Sequence, residues 1–192
     1  MLQNRSRTVD FLLTLSAVAI SAISLYVAIA ANRVQEQLLA ASTWPSLQFG
    51  TGNLNDQLEH EITLHIENSG VGPARIQWLS MRYQGEVVQN QSILFKRCCE
   101  VDGQKFDSTV ITSSVDAVLR AEDSIHLLRL RKDQNPAELF EKLNRERFKI
   151  GVRACYCSVL DHCWLFDSGD QLAKTQSVDA CPAVPENDRW QG

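Results

Sequence analysis

The apolar and polar positions of this chain follow different rhythms along its length. Positions 11–31, FLLTLSAVAISAISLYVAIAA, contain no charged residue. A bilayer core about 30 Å thick is crossed by a helix of about 20 apolar residues rising roughly 1.5 Å each, so this run predicts a transmembrane helix. The hydroxyls of Thr14, Ser16, Ser21 and Ser24 can bond back to the helix's own carbonyls, which lets them sit in hydrocarbon. Positions 32–44 extend the helix as a stalk without Gly or Pro, until Pro45 removes a donor and disfavours helical geometry at Trp44.

Beyond Pro45 the period becomes two. In 60–68, HEITLHIEN, Ile62, Leu64 and Ile66 alternate with Thr63, His65 and Glu67, the pattern of a half-buried strand. The following NSGVGP, 68–73, reads as a turn, its glycines supplying unusual backbone angles and its proline unable to continue a ladder. A strand resumes over 74–83, with Ile76, Trp78, Met81 and Tyr83 apolar, and a phase change near Leu79 predicts a bulge. A turn at 84–86 is followed by short apolar runs at 92–95 and 109–112, and 124–130, SIHLLRL, is a further strand.

Asn135-Pro136-Ala137-Glu138 reads as a helix start: a capping Asn, Pro in the first helical position and Glu placed to bond back. Leu139, Phe140 and Leu143 give that helix its apolar side. Positions 148–156 alternate again, with Phe148, Ile150, Val152, Ala154 and Tyr156 inward, and 163–166 pairs with them through a turn around Leu160-Asp161. The end of the chain, 170–192, is polar, contains Pro182 and Pro185, and is expected to be irregular. About seven short strands with one short helix predict a mainly β domain over 45–169, an immunoglobulin-like antiparallel β-sandwich.

Averages over all 192 residues, with 19 basic and 23 acidic side chains and a mean hydropathy of −0.18, describe an ordinary soluble domain. Dividing the chain at Ala31 changes that picture. The part after the apolar run keeps 17 basic and 22 acidic residues, a formal charge of −5, and gives no reason to expect a nucleic acid or an anionic lipid as partner. Arg5 and Arg7 precede the apolar run against Asp10, and Arg33 follows it. The positive-inside rule therefore places 1–10 in the cytoplasm and the β domain across the membrane. All six cysteines follow the run, which suits an oxidising compartment. Ala28-Ile29-Ala30 offers a signal-peptidase site, so cleavage after Ala30 is the competing reading. The run is longer than the apolar core of a signal peptide, about 7–15 residues, and no helix breaker precedes the site, so an uncleaved signal anchor is expected. Within it Thr14, Ala17, Ser21, Ser24, Ala28 and Ala31 recur at spacings of three and four, a small-residue stripe of the kind that lets another membrane helix approach closely.

Motifs for catalysis do not assemble in the sequence. His60 and His65 resemble the ends of a zinc-protease helix, but they stand five apart on an alternating segment and so point to opposite faces. Gly50-Thr51-Gly52 and Gly70-Val71-Gly72 neither open a helix nor precede Gly-Lys-Ser/Thr. No Gly-x-Ser-x-Gly elbow or Ser-x-x-Lys pair is present, the carboxylates are scattered, and Asn90-Gln91-Ser92 is a bare glycosylation pattern. No enzymatic activity and no cofactor are expected.

The cysteines carry the chemistry: Cys98, Cys99, Cys155, Cys157, Cys163 and Cys181. Cys155 and Cys157 lie two apart on one strand, on the face opposite Ile150, Val152 and Ala154, with Lys149 and Arg153. Their side chains run parallel, which disfavours a bond between them, so each should reach another segment: the Cys163 arm, the Cys98-Cys99 loop or the tail at Cys181. A bond from Cys157 to Cys163 would close the hairpin. Structural disulfides pinning the long loop and tail are the expected use. Two alternatives are a soft-metal site from Cys155, Cys157, Cys163 and His162, and a redox switch at Cys98-Cys99, where Lys96 and Arg97 would lower a thiol's pKa.

Trp44-Pro45-Ser46-Leu47, Asn68-Ser69-Gly70-Val71-Gly72-Pro73-Ala74-Arg75-Ile76, Cys155-Tyr156-Cys157-Ser158 and Cys163-Trp164 together give the chain a family likeness. It resembles a group of uncharacterised single-span bacterial inner-membrane proteins in which an N-terminal helix precedes an exported β-rich domain with similar cysteine positions. The resemblance implies that topology and brings no catalytic residue. The reading that follows is a single-pass accessory or scaffolding protein whose periplasmic domain binds another envelope protein, or a second copy through the membrane helix. The alternative is a periplasmic thiol-redox or metal-binding protein using the cysteine cluster.

Overall fold

The computed structural model describes residues 2–99, 118–169 and 173–191. It divides into two units, an N-terminal helix and a β domain beginning at Thr43. Helix α1, Leu2–Ser42, is continuous through the apolar run and the stalk. Its stretch Phe11–Ser42 is long and apolar enough to cross a membrane and is not buried by the other described residues. Ser16 and Ser21 donate their hydroxyls to the carbonyls of Leu13 and Ala17, each at 2.8 Å, so these two polar groups are satisfied inside the helix as expected.

The described residues of the β domain form two antiparallel sheets. One has three strands in the order β1 (Leu47–Leu54), β2 (His60–Asn68), β6 (Ser124–Arg131). The other runs β4 (Glu86–Val88), β3 (Ala74–Tyr83), β7 (Ile150–Cys157), β8 (Cys163–Asp167), β9 (Lys174–Val178), with β5 (Val118–Leu119) pairing the start of β3. Both sheets contribute to one buried core: Ile62, Leu64 and Ile66 with Leu128 and Leu130 from the first, Ile76, Met81, Val152, Ala154, Tyr156 and Phe166 from the second. The expected short helix is α3, Ala137–Glu146, and it buries Leu139, Phe140 and Leu143 as its periodicity requires. Tyr83 donates to the Glu146 carboxylate and so ties this helix to β3; burial, reinforced by that bond and by the carboxylate's charge, pushes the phenol up to about 12.

Several local expectations are corrected. The apolar run 92–95 is not extended but lies in a helix, α2, Gln91–Cys99, started by Asn90, whose side-chain oxygen accepts the amide of Ile93 at 3.0 Å. Its apolar Leu94 and Phe95 are buried as neighbours on a helix rather than on alternate faces of a strand. The run 109–112 lies outside the described residues. Asn135 does not cap α3: the helix starts after Pro136 without a side-chain cap, and the Asn135 amide donates back to Arg131. Phe148 is 72% exposed because α3 runs directly into a 3-10 turn, Arg147–Lys149, so alternation begins only at Ile150. The bulge in β3 falls at Gln77, between Ile76 and Trp78, slightly before the phase change in sequence. Strands β1 and β4 had no clear signature, the first because Gly50 and Gly52 interrupt its alternation.

The turn after β2 carries the chain from one sheet to the other, and its glycines act differently from expectation. Neither Gly70 nor Gly72 adopts a positive φ. They are required by space: a Cβ on Gly72 would stand 2.1 Å from the Thr43 carbonyl oxygen, and one on Gly70 2.4 Å from the Ser46 nitrogen. Beside them Asn68, fully buried, accepts the amides of Ser46 and Gly70 at 3.0 and 3.1 Å and donates to the carbonyls of Gly72, Leu119 and Arg120. One side chain thus satisfies backbone groups from three separate segments.

The end of the chain is not irregular throughout. Strand β9 extends the larger sheet, Trp190 is 5% exposed in the core, and its amide donates to the Leu79 carbonyl at 2.8 Å. A scatter of polar residues hid this, since an edge strand with solvent on both faces shows no alternation.

Candidate functional site

Strands β7 and β8 form the hairpin that carries the cysteine cluster. Cys157 stands directly opposite Cys163, and they are bonded, with Cα atoms 4.0 Å apart. Cys155 is bonded to Cys181, with Cα atoms 5.7 Å apart. Each of the two strand neighbours therefore reaches a different segment, as their parallel projection requires. Both lie on the sheet face opposite Ala154 and Tyr156 and yet are buried, at 0 and 4% exposure. The reason is the tail. Held by Cys181, it covers this outer face, and the Pro182 carbonyl accepts the Trp78 indole N–H at 2.9 Å. Trp78 is the register partner of Cys155 across β3 and β7, so one patch of tail seals both.

The two disulfides lie side by side. Cys157 Sγ is 3.8 Å from Cys181 Sγ, and the sulfurs of Cys157, Cys163 and Cys181 fall within 4.8 Å of one another. With all six cysteines paired, no thiolate is available at this cluster in the oxidised protein. His162, the fourth member of the soft-metal reading, is exposed and packs edge-on against Trp164 at 6.5 Å. Cys98 and Cys99 are bonded to each other at the end of α2. They therefore do not pin the long loop to the sheets, contrary to expectation, and Arg97 beside them pairs with Glu86 at 3.0 Å.

In α1, Thr14, Ala17, Ser21, Ser24, Ala28 and Ala31 occupy one uninterrupted helix, so their spacing aligns them within a stripe about 100° wide.

Sequence reasoning did not single out the outer face of the three-stranded sheet. His65 on β2 and His126 on β6 are register partners, their ring centres 5.8 Å apart. Next to them Glu61, 2% exposed, pairs with Arg129 and accepts the Asn55 amide at 3.2 Å. Burial raises the Glu61 carboxyl, but the hydrogen bonds from Arg129 and Asn55 and the charges of Arg129 and Arg131 outweigh it and hold the group below its ordinary range. Burial, then the charge of Arg129, lowers His126, which keeps it neutral at pH 7. The available signal was weak: Glu61 and His65 sit two positions to either side of Thr63 on the polar side of β2, where solvent rather than a network is the usual neighbour. His60 points to the other face and meets Phe140 edge-on at 6.2 Å, so the two histidines of the protease-like motif are separated as predicted.

No protein-family model, no curated protein and no solved structure matches this chain.

Proposed function

We propose that the protein is a single-pass membrane-anchored accessory or scaffolding protein of the bacterial inner membrane, with 1–10 cytoplasmic and the β domain periplasmic, where it binds another envelope protein. The observation that carries the reading is α1: an apolar helix whose stretch Phe11–Ser42 is not buried by the described residues, joined to a disulfide-braced β domain. An immunoglobulin-like domain is the form we infer. The orders β1-β2-β6 and β4-β3-β7-β8 correspond to strands A-B-E and C′-C-F-G of that fold, with β9 as an added edge. Such folds serve many functions, so the binding role rests on the anchor and the small-residue stripe, not on the architecture.

The test is crosslinking in native membranes of the full chain and of a variant with Ser21, Ser24 and Ala28 changed to Leu. A discrete adduct that the variant loses, while its disulfides and far-ultraviolet spectrum persist, supports the reading. Monomer in both, or a mature N-terminus at Ala31, overturns it.

A second reading, thiol–disulfide exchange, is favoured by the 3.8 Å contact between Cys157 and Cys181. Reduction of Cys157–Cys163 by an external dithiol, which is itself oxidised to its disulfide, leaves two thiols. The Cys157 thiolate then attacks Cys181, forming Cys157–Cys181 and releasing Cys155 as a thiolate that takes up a proton. Peptide mapping under limiting dithiothreitol should reveal a Cys157–Cys181 species; independent loss of the two original bonds eliminates the exchange.

A further inference from the structure

We infer that His65 and His126 form a two-imidazole site for a divalent transition-metal ion of the zinc, copper and nickel class, on the outer face of the three-stranded sheet. This rests on neither reading above, since it uses no cysteine and no part of α1. The two histidines face each other across β2 and β6 in direct register, just where an extra residue, Leu127, enters β6. Their ring centres lie 5.8 Å apart with the planes inclined at 43°. Two imidazoles sharing one ion, with metal–nitrogen bonds of about 2.0–2.1 Å and roughly tetrahedral angles, have centres ~5–6 Å apart. The observed spacing of the ring centres falls within that range.

Two further features hold the site. Gly50 is the β1 partner of His65, and a Cβ there would stand 2.4 Å from His65 Nε2 and 2.6 Å from Cε1. The His65 ring thus lies over bare backbone, and any larger residue at position 50 would displace it. His65 Nδ1, in turn, is buried and has no hydrogen-bond partner among the described residues. A buried imidazole nitrogen without a partner is costly, and a metal ion or its bound water would supply one. The nearby Arg129, whose charge His126 feels, is paired with Glu61, and that carboxylate offsets part of its opposition to a cation. Nitrogen donors select zinc, copper or nickel over calcium and magnesium, which prefer oxygen. With two protein ligands, the remaining positions fall to water or to a donor from a bound partner, and the ion clamps β2 to β6 across their register.

The experiment is titration of Zn2+ into the untagged full-length chain in detergent micelles, disulfides intact, against a chromophoric chelator. One ion per chain is expected. His65→Gln and His126→Gln should each weaken it by about tenfold or more, while His60→Gln and His162→Gln leave it unchanged. Gly50→Ala, which keeps both imidazoles but displaces the His65 ring, should weaken it too. In the unaltered chain, Zn2+ should protect His65 and His126, and not His162, from diethyl pyrocarbonate, a readout independent of how any variant folds. Absence of binding, affinity unchanged in His65→Gln and His126→Gln, or no selective protection overturns the site.

Discussion

Glu61 illustrates what single residues do in this domain. It occupies the polar side of a strand and is almost wholly enclosed, because the connection between β1 and β2 brings Asn55 over it and β6 brings Arg129 and Arg131. Its carboxyl is held below the ordinary 4.5, so the folded domain keeps the charge where the unfolded chain would take up a proton. The stabilisation is complete above about pH 4.5 and is lost as pH falls through the lowered folded value. Glu61→Gln should flatten the fall of thermal midpoint with acid in this range, measured by circular dichroism. Arg129→Met leaves the buried carboxylate with Asn55 and the more distant Arg131, and should cost about 2 kcal/mol at pH 7. Neither role could be read from HEITLHIEN, since the partners lie on other strands and in a loop.

At the scale of elements, the connection from β2 to β3 is the least tolerant part of the domain. Asn68, Gly70 and Gly72 bind it to 43–46 and to the segment at 119–123. A methyl group on Gly72 meets backbone, which cannot swing aside as a side chain would. Gly72→Ala should therefore destabilise the β domain by about 3 kcal/mol or more in urea unfolding, whereas Gly85→Ala, whose Cβ would meet nothing but whose φ is +85°, should cost only about 1 kcal/mol. The sequence marked this stretch as a turn correctly and for the wrong reason. Glycine is needed there for closeness between segments far apart in the chain, and local pattern carries no record of such distances. The helices show the same division. The sequence located α3 from Pro136 and Glu138 at its start together with Leu139, Phe140 and Leu143 at helical spacing, whereas α2 carries too short an apolar run to separate a helix from a strand.

For the whole molecule, the tail decides how the cysteines are used. Its single crosslink, Cys155–Cys181, closes a span of 26 residues, against 6 for Cys157–Cys163. Chain-entropy arguments assign about 3.5 kcal/mol to the first and about 2 kcal/mol to the second. Replacing Cys155 and Cys181 together by Ser should therefore lower stability more than replacing Cys157 and Cys163, and should expose Trp78 and Trp190. Denaturant unfolding followed by tryptophan fluorescence checks both. The reverse order would mean that the tail is held by Trp190 and β9 without help from its disulfide.

The sequence by itself determined what depends on neighbours along the chain: an apolar helix long enough for a bilayer, the alternation of the central strands, the β7–β8 hairpin, and the parallel projection that keeps Cys155 and Cys157 from joining. Only tertiary structure decided what depends on contacts between distant segments. Cys98 closes on Cys99 and not on the sheets, a polar tail seals the outer face of β7, and Gly50 makes room for His65 to meet His126. Periodicity reports which face of an element is apolar. It does not report which distant segment covers the other face, because that is set by where the chain returns in space.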